Sequence, residues 1–385
     1  MKTLLFLLAM GLTAAPAYAQ TYYVYATAES EDEVALIAFD GTEATVAETI
    51  VVGSWPAEIE GAHGLTVGLD GEHWYLTLAH GTPFGTLYKY ATATNEIVGE
   101  VELGLFPATM SISPATGLLY AVNFNLHGKM EPSTVSVVEP TTMTEIAQIE
   151  TGMMPHGSRV SPDGTKHYSA AMMSGTLYEI DAQTLEVART LFTGEGEPPA
   201  MMHGGMEGMS GMDHSQMEGQ VDHSAMNHGS MASMGNSEHP APKPTWVDPH
   251  PSQPLVYVAN NGADQIAEVS TETWEVTRRF ATAKGPYNLA VTPDGTRMVV
   301  THKGAASIGI WDLETGTELA QLPTTRTVTH GVVISPDNRY AFVTSEGVGA
   351  EPGAIDVYDI AALQHVDVVE IGKQAGGIAF WKIAE

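Results

Sequence analysis

The chain of 385 residues contains no cysteine. That absence rules out disulfides and thiolate metal sites. Type 1 copper, iron–sulfur clusters and covalently attached c-type haem go with them, since all need cysteine. Basic residues are also scarce, with 16 Lys and Arg against 46 Asp and Glu and a formal net charge of −30. So acidic a surface repels nucleic acid and anionic lipid, favours cations and keeps a protein soluble. Long apolar runs are missing except for one at the start. After Met1-Lys2 the chain is apolar from Leu4 to Leu12 and reaches Ala17-Tyr18-Ala19. A short basic start, an apolar core and an A-x-A-like site predict a secretory signal peptide over residues 1–19. The run is too short to span a bilayer. Cleavage before Gln20 removes Lys2, which takes the charge from −30 to −31. The expectation is a monomeric protein in the periplasm or secreted, without membrane insertion or nucleic-acid partner. Hydrolase and nucleotide signatures are lacking as well: there is no Gly-x-Ser-x-Gly elbow, no His-Glu-x-x-His and no Walker A loop.

What is present is a repeat. Ser161-Pro162-Asp163-Gly164 returns as Thr292-Pro293-Asp294-Gly295 and as Ser335-Pro336-Asp337-Asn338. In each copy Pro fixes φ, Asp bonds its own backbone, and Gly or Asn accepts positive φ. Weaker copies stand at Leu69-Asp70-Gly71, Ser113 to Gly117 and Asp248 to Ser252. A second turn with an acidic start and a Thr follows each, as in Asp312-Leu313-Glu314-Thr315. Short strand runs with turns at fixed offsets, at a period of about 40 residues, predict propeller blades. The strand runs, such as Leu255 to Val258, are nearly all apolar, which suits sheets covered on both faces. Seven units can be traced. The first unit, from Thr21, lacks an innermost strand, and the last run, Gly376 to Trp381, supplies one without a blade after it. The expected fold is therefore an all-β, seven-bladed propeller whose N- and C-terminal strands close one blade. Residues 20–194 and 244–385 make up the ring, interrupted by an insertion at 195–243.

Tyr257-Val258-Ala259-Asn260-Asn261-Gly262 and Tyr120-Ala121-Val122-Asn123, with the Pro-Asp-Gly turns, resemble the YVTN-type β-propeller repeat family. The resemblance covers most of residues 21–383 and implies the same fold. It implies no particular function, because one fold hosts many.

The insertion has another composition. Between positions 201 and 234 it holds nine methionines: Met201, Met202, Met206, Met209, Met212, Met217, Met226, Met231 and Met234. His203, His214, His223 and His228 are interleaved with Gly and Ser. Such a stretch cannot bury a core, so disorder without a ligand is expected. Thioethers suit Cu(I), and imidazole suits both Cu(I) and Cu(II). Met212-Asp213-His214-Ser215-Gln216-Met217 and Asp222-His223-Ser224-Ala225-Met226 are similar to the Met-Asp-His-Ser repeats of periplasmic copper-resistance proteins. That similarity implies recruitment of copper by these residues, with copper ions and another periplasmic copper protein as partners.

A second group emerges when the blades are aligned. His63, His156 and His330, each followed by Gly, begin three innermost strands, where Thr109, Thr245, Asn288 and Gly376 or Gly377 stand in the other blades. His80 and His302 follow second strands, and His127 lies in the loop after another. These positions should ring one mouth of the central channel. Neutral imidazoles converging without a counter-charge call for a metal, here Cu(I) or Cu(II). The arrangement resembles the seven-bladed domain of nitrous oxide reductase, which holds a copper–sulfide cluster on histidines; that enzyme's cysteine-containing copper domain has no counterpart. Glu29, Glu31 and Glu346 are carboxylates that would suit Ca²⁺ in a channel, as in lactonase-type propellers, although no Asn/Asp/Glu quartet accompanies them. His73, His167, His250 and His365 read as turn or surface residues. Three functions follow: a copper buffer or carrier with the insertion as collector and the channel as fixed site, a copper-dependent redox enzyme, or an interaction scaffold with a metal-scavenging loop.

Overall fold

A computed structural model describes residues 20–53, 58–80, 84–198 and 240–384. The expected leader and every Met and His expected to bind copper between Met201 and Met234 lie outside these residues. The described chain forms seven four-stranded antiparallel sheets arranged as a seven-bladed propeller. No helix among the described residues is long and apolar enough to cross a membrane. The innermost strands of blades 2 to 7 are Ala62–Val67, Pro107–Ile112, Pro155–Val160, Pro244–Pro249, Pro286–Val291 and Val328–Ile334. Blade 1 takes its innermost strand, Ala375–Ala384, from the C-terminal end and its other three from Thr21 onward. The ring thus closes as the unequal first and last units predict, and only the short outer strand of each blade is left as an edge.

The repeated turn phrase does what its residues dictate. The Asp163 carboxylate accepts the Ser161 hydroxyl at 2.5 Å and the Thr165 amide at 3.0 Å, while Gly164 takes φ of +73°. Asp294 repeats the pattern with Thr292 at 2.6 Å and Thr296 at 2.9 Å. Between blades the sheets pack through apolar seams, such as Trp246, Tyr257, Leu289 and Val300.

A polar stitch supplements that packing near the axis. Four second strands carry a Thr whose hydroxyl accepts an amide of its own inner strand and donates to a carbonyl of the next blade's inner strand. Thr344 takes Gly331 N–H at 2.8 Å and donates to Gly376 O at 2.7 Å. Thr301 takes Asn288 N–H at 2.9 Å and donates to His330 O at 2.8 Å. Thr27 and Thr77 do the same with Gly377 and His63, and with Gly64 and Ala108. The amides are freed because every inner strand carries a one-residue bulge just after its start. Ala62 pairs with Leu78 but Leu65 with Leu76, and Pro155 pairs with Ala171 but Ser158 with Ser169. Bulges re-aim side chains, and here they turn the residues after the strand start toward the axis.

Candidate metal centre in the channel

The bulge explains why each of the three histidines precedes glycine. A Cβ on Gly64 would strike the Ala108 carbonyl, one on Gly157 the Thr245 carbonyl, and one on Gly331 would come within 2.8 Å of the Gly376 carbonyl. Glycine there lets neighbouring inner strands approach, and the preceding residue takes the axial position. The carbonyls met by these glycines and Thr hydroxyls define one layer: His63, Ala108, His156, Thr245, Tyr287, His330 and Gly376. This corrects the expected alignment at two places. Ala108 and Tyr287 occupy the layer, not Thr109 and Asn288, which stand one residue further along.

His63, His156 and His330 do meet. The His63 ring centre lies 6.2 Å from that of His156 and 6.2 Å from that of His330, with near-perpendicular planes. All three are buried. Below them is a narrow cavity of about 30 Å³, lined by the three rings with Arg159, Asn288 and the glycines of the inner strands. The Nδ1 of His330 and the Oδ1 of Asn288, both on this cavity, are buried without a hydrogen-bond partner.

The expected lack of counter-charge is also corrected. Glu29, from the short turn Glu29–Glu31, is buried at the channel mouth. Its Oε2 accepts from His63 Nδ1 at 3.0 Å and its Oε1 from His80 Nε2 at 3.0 Å. Burial alone would raise the Glu29 carboxyl, but the two imidazoles reverse this and hold it well below the usual carboxylate range. The same hydrogen bond, working against burial, raises His80. Sequence placed Glu29 among the candidate channel carboxylates but not its partners, which come from the next blade, 34 and 51 residues further along the chain. His127 joins the rim, its ring 6.4 Å from His80 and 5.7 Å from Phe106.

On the other side, His156 Nδ1 donates to Thr245 O at 3.1 Å, which leaves Nε2 to accept the Tyr287 hydroxyl at 2.9 Å. Lys303 lies 4.4 Å over the Tyr287 ring and 3.2 Å from Glu346. Burial opposes the Lys303 charge, yet Glu346 prevails and its pKa is raised. Burial first, then Lys303 and the two neighbouring imidazoles, push His330 well below its ordinary value. It is therefore a neutral ring with an uncommitted nitrogen.

His302 does not join this group. It pairs across from Pro286, as Leu78 does from Ala62, so it precedes the His80 register by two residues. It is buried inside blade 6, with Nδ1 on Ser307 Oγ at 3.1 Å. Two histidines read as turn or surface residues are buried instead. His167 is fully buried and stacked on Tyr120, with ring centres 4.8 Å apart. His250 is buried and bridges its own turn to the Gly295 carbonyl of the next blade at 3.1 Å. His365 is exposed, as expected, and its Nε2 meets the buried Asp356 at 3.0 Å. For His167 and His250 a neighbouring blade covers the ring.

Do these residues fit a metal ion? Among the described residues no three His, Cys, Asp or Glu side chains already stand at metal-binding separation. Imidazoles sharing one ion have ring centres roughly 5 Å apart, given metal–nitrogen bonds of about 2 Å. His63 stands 6.2 Å from each of the other two rings, wider than that spacing. The donors differ in availability: His330 Nδ1 is buried without a hydrogen-bond partner, His63 has Nδ1 on Glu29, and His156 has Nδ1 on the Thr245 carbonyl and Nε2 on the Tyr287 hydroxyl, so ligation by His156 would have to displace a partner.

Comparison with known proteins places this geometry on a familiar scaffold. Residues 108–199 match the family described as the YNCE-like β-propeller. A seven-bladed β-propeller protein of Mycobacterium tuberculosis, Rv1057, is 30% identical over 126 residues. That stretch is 32% of this chain and 31% of the relative, so the chain spans about a third of the relative's length. Among solved structures, a protein of unknown function from Desulfotomaculum acetoxidans superposes with a TM-score of 0.66 at 13% identity, covering 93% of this chain and 98% of that one. The hydrazine synthase of Kuenenia stuttgartiensis gives 0.57 at 18% identity, covering 80% of each chain. At these identities the structural likeness speaks for the fold alone.

Proposed function

We propose that the protein is an exported, copper-binding propeller that buffers or delivers copper. The channel layer is the fixed site, and the Met/His stretch between Met201 and Met234 is the collector. The observation that carries this reading is the meeting of His63, His156 and His330 from three separate blades, with His330 Nδ1 buried and unpartnered. Leaving such a group unmet costs about 1–3 kcal/mol, a cost that a bound ion would remove. Copper at this place would supply a borderline-soft Lewis acid able to change oxidation state. The protein's own part is to hold three buried imidazoles, with Glu29 and the Thr245 carbonyl fixing two of the rings. The strand Pro155–Val160 and the strand following the insertion, Pro244–Pro249, start on the same face. The insertion thus follows the outermost strand of blade 4, Glu186–Phe192, and precedes an inner strand that starts on the face bearing the histidines.

The small cavity favours storage or transfer over turnover: about 30 Å³ admits roughly two waters. An open redox centre acting on a larger molecule would need more room. The test is to load the full chain with Cu²⁺ alone, remove loosely held metal by dialysis, and measure bound copper by mass spectrometry beside EPR. The wild type should retain one more equivalent than a His63→Ala/His330→Ala variant of unchanged circular dichroism, and that equivalent should carry nitrogen hyperfine structure. Equal retention and identical spectra in the two folded proteins would remove the channel from the proposal. The propeller would then be a scaffold.

A further inference from the structure

The cavity below the histidines carries a charge opposite in sign to the molecule as a whole. Acidic residues outnumber basic ones 46 to 16 along the chain. Yet apart from the three imidazoles, Arg159 is the one ionisable side chain lining this cavity, and among the described residues no carboxylate lines it. The carboxylates at the channel mouth are taken up elsewhere. Both oxygens of Glu29 are held by His63 and His80, and Glu346 pairs with Lys303 at 3.2 Å.

Arg159 itself is poorly matched. Its acidic neighbour is Asp248 of the next blade, whose Oδ1 stands 3.7 Å from Nε, beyond hydrogen-bond distance. The other oxygen, Oδ2, accepts the Val291 amide at 2.8 Å. Burial lowers the Arg159 pKa and raises that of Asp248 to about 6, so neither charge is well compensated by the other. The guanidinium packs 4.6 Å over the Trp246 ring. Its one hydrogen bond to a described residue runs from Nη1 to Ser158 O at 2.9 Å. A guanidinium offers five N–H donors, so most of this set is unmet. The side chain lines the cavity and stays 27% accessible.

Two more lining residues, on the next two blades, have a buried polar atom without a hydrogen-bond partner: Trp246 Nε1 and Asn288 Oδ1. The indole N–H can only donate, and the amide donates through its NH2 when turned over. Leu65, Met110, Val332 and Ile378 make the rest of the wall apolar, which strengthens the field of the cation. The space, about 30 Å³, admits roughly two waters, which leaves out sulfate and phosphate. One poorly compensated cation calls for one negative charge.

We infer that the cavity is a binding site for a single small monovalent anion of halide size, held by the Arg159 guanidinium with Trp246 and Asn288 as neighbouring donors. The site does not depend on copper, since none of these three residues is assigned to the metal.

The test titrates sodium bromide into the full chain in sodium gluconate at constant ionic strength, with EDTA present to keep metals out. Binding is read by isothermal titration calorimetry, and melting temperature by circular dichroism. The wild type should show one saturable site and a melting temperature that rises with its occupancy. Sulfate at the same ionic strength should show neither. In Arg159→Gln/Asp248→Asn, which removes both charges and keeps an acceptor for the Val291 amide, the bromide dissociation constant should rise at least tenfold. Arg339→Gln, which removes an arginine lying 4.9 Å over the Tyr340 ring, controls for loss of a cation elsewhere and should bind as the wild type does. The lack of a saturable site in the wild type, or an unchanged affinity in the folded double variant, would overturn the inference. Should the double variant lose its fold, Trp246→Phe decides instead. It keeps a ring under Arg159 and deletes the indole N–H, and an unchanged dissociation constant there would equally overturn the inference. Copper retention is judged separately by the His63→Ala/His330→Ala comparison, so either proposal can fail alone.

Discussion

His167 offers a quantitative check on how the blades seal one another. Its ring is fully buried on Tyr120, and neither nitrogen has a hydrogen-bond partner. Burial, with a smaller contribution from Arg159, lowers its pKa from 6.5 to about 3. The unfolded chain therefore binds a proton at this residue between those values while the folded protein does not. Stability contributed by the neutral ring is intact above about pH 6.5 and is lost as pH falls toward about 3. At pH 5, about 1.5 pH units below the ordinary value, the loss is about 2 kcal/mol at ~1.36 kcal/mol per unit. The perturbation is His167→Phe, which keeps an aromatic ring on Tyr120 and removes the titration. Urea unfolding of both proteins at pH 7.5 and pH 5, with chelator present, gives the double difference. Any packing cost of the larger ring is the same at both pH values and cancels, as do carboxylates common to both proteins. The variant should lose about 2 kcal/mol less than the wild type on going to pH 5. Equal losses would mean that His167 can protonate in the folded state, which would refute the sealed seam between blades 3 and 4.

Other outcomes follow from the same contacts. Thr344→Val keeps the shape but strands the buried Gly331 amide and Gly376 carbonyl; it should cost about 2–4 kcal/mol by urea denaturation. Arg189 grips the buried Glu179 through two bonds, of 3.0 and 2.6 Å, and lies 4.3 Å over Trp274 of the next blade. Arg189→Met should therefore destabilise by about 2–3 kcal/mol, and a further Glu179→Leu should recover most of it, since a buried pair is worth little against apolar packing but a widowed carboxylate is costly.

Sequence by itself determined the scaffold. Pro, Asp and Gly at fixed offsets encode turns through local dihedral preference and self-bonding, which needs no tertiary information. Their period gave the blades, and the mismatch between the first unit and the last run gave the closure. It also picked out His63, His156 and His330, because three His-Gly pairs at one repeat position stand out against the other blades. Part of that signal had a different origin: the glycines answer to the neighbouring strand's carbonyls and not to a metal. What only the tertiary structure decided is which residues share a level. The bulge in each inner strand shifts the facing residue by one, and a one-residue shift changes which side chain meets the axis. That is why Tyr287 enters the layer and Asn288 does not, and why His302 turns into its own blade. The pairing of Glu29 with His63 and His80, and the burial of His167, are contacts between segments distant in the chain. Local composition carries no trace of them, because the neighbour that supplies the charge or the cover belongs to another part of the ring.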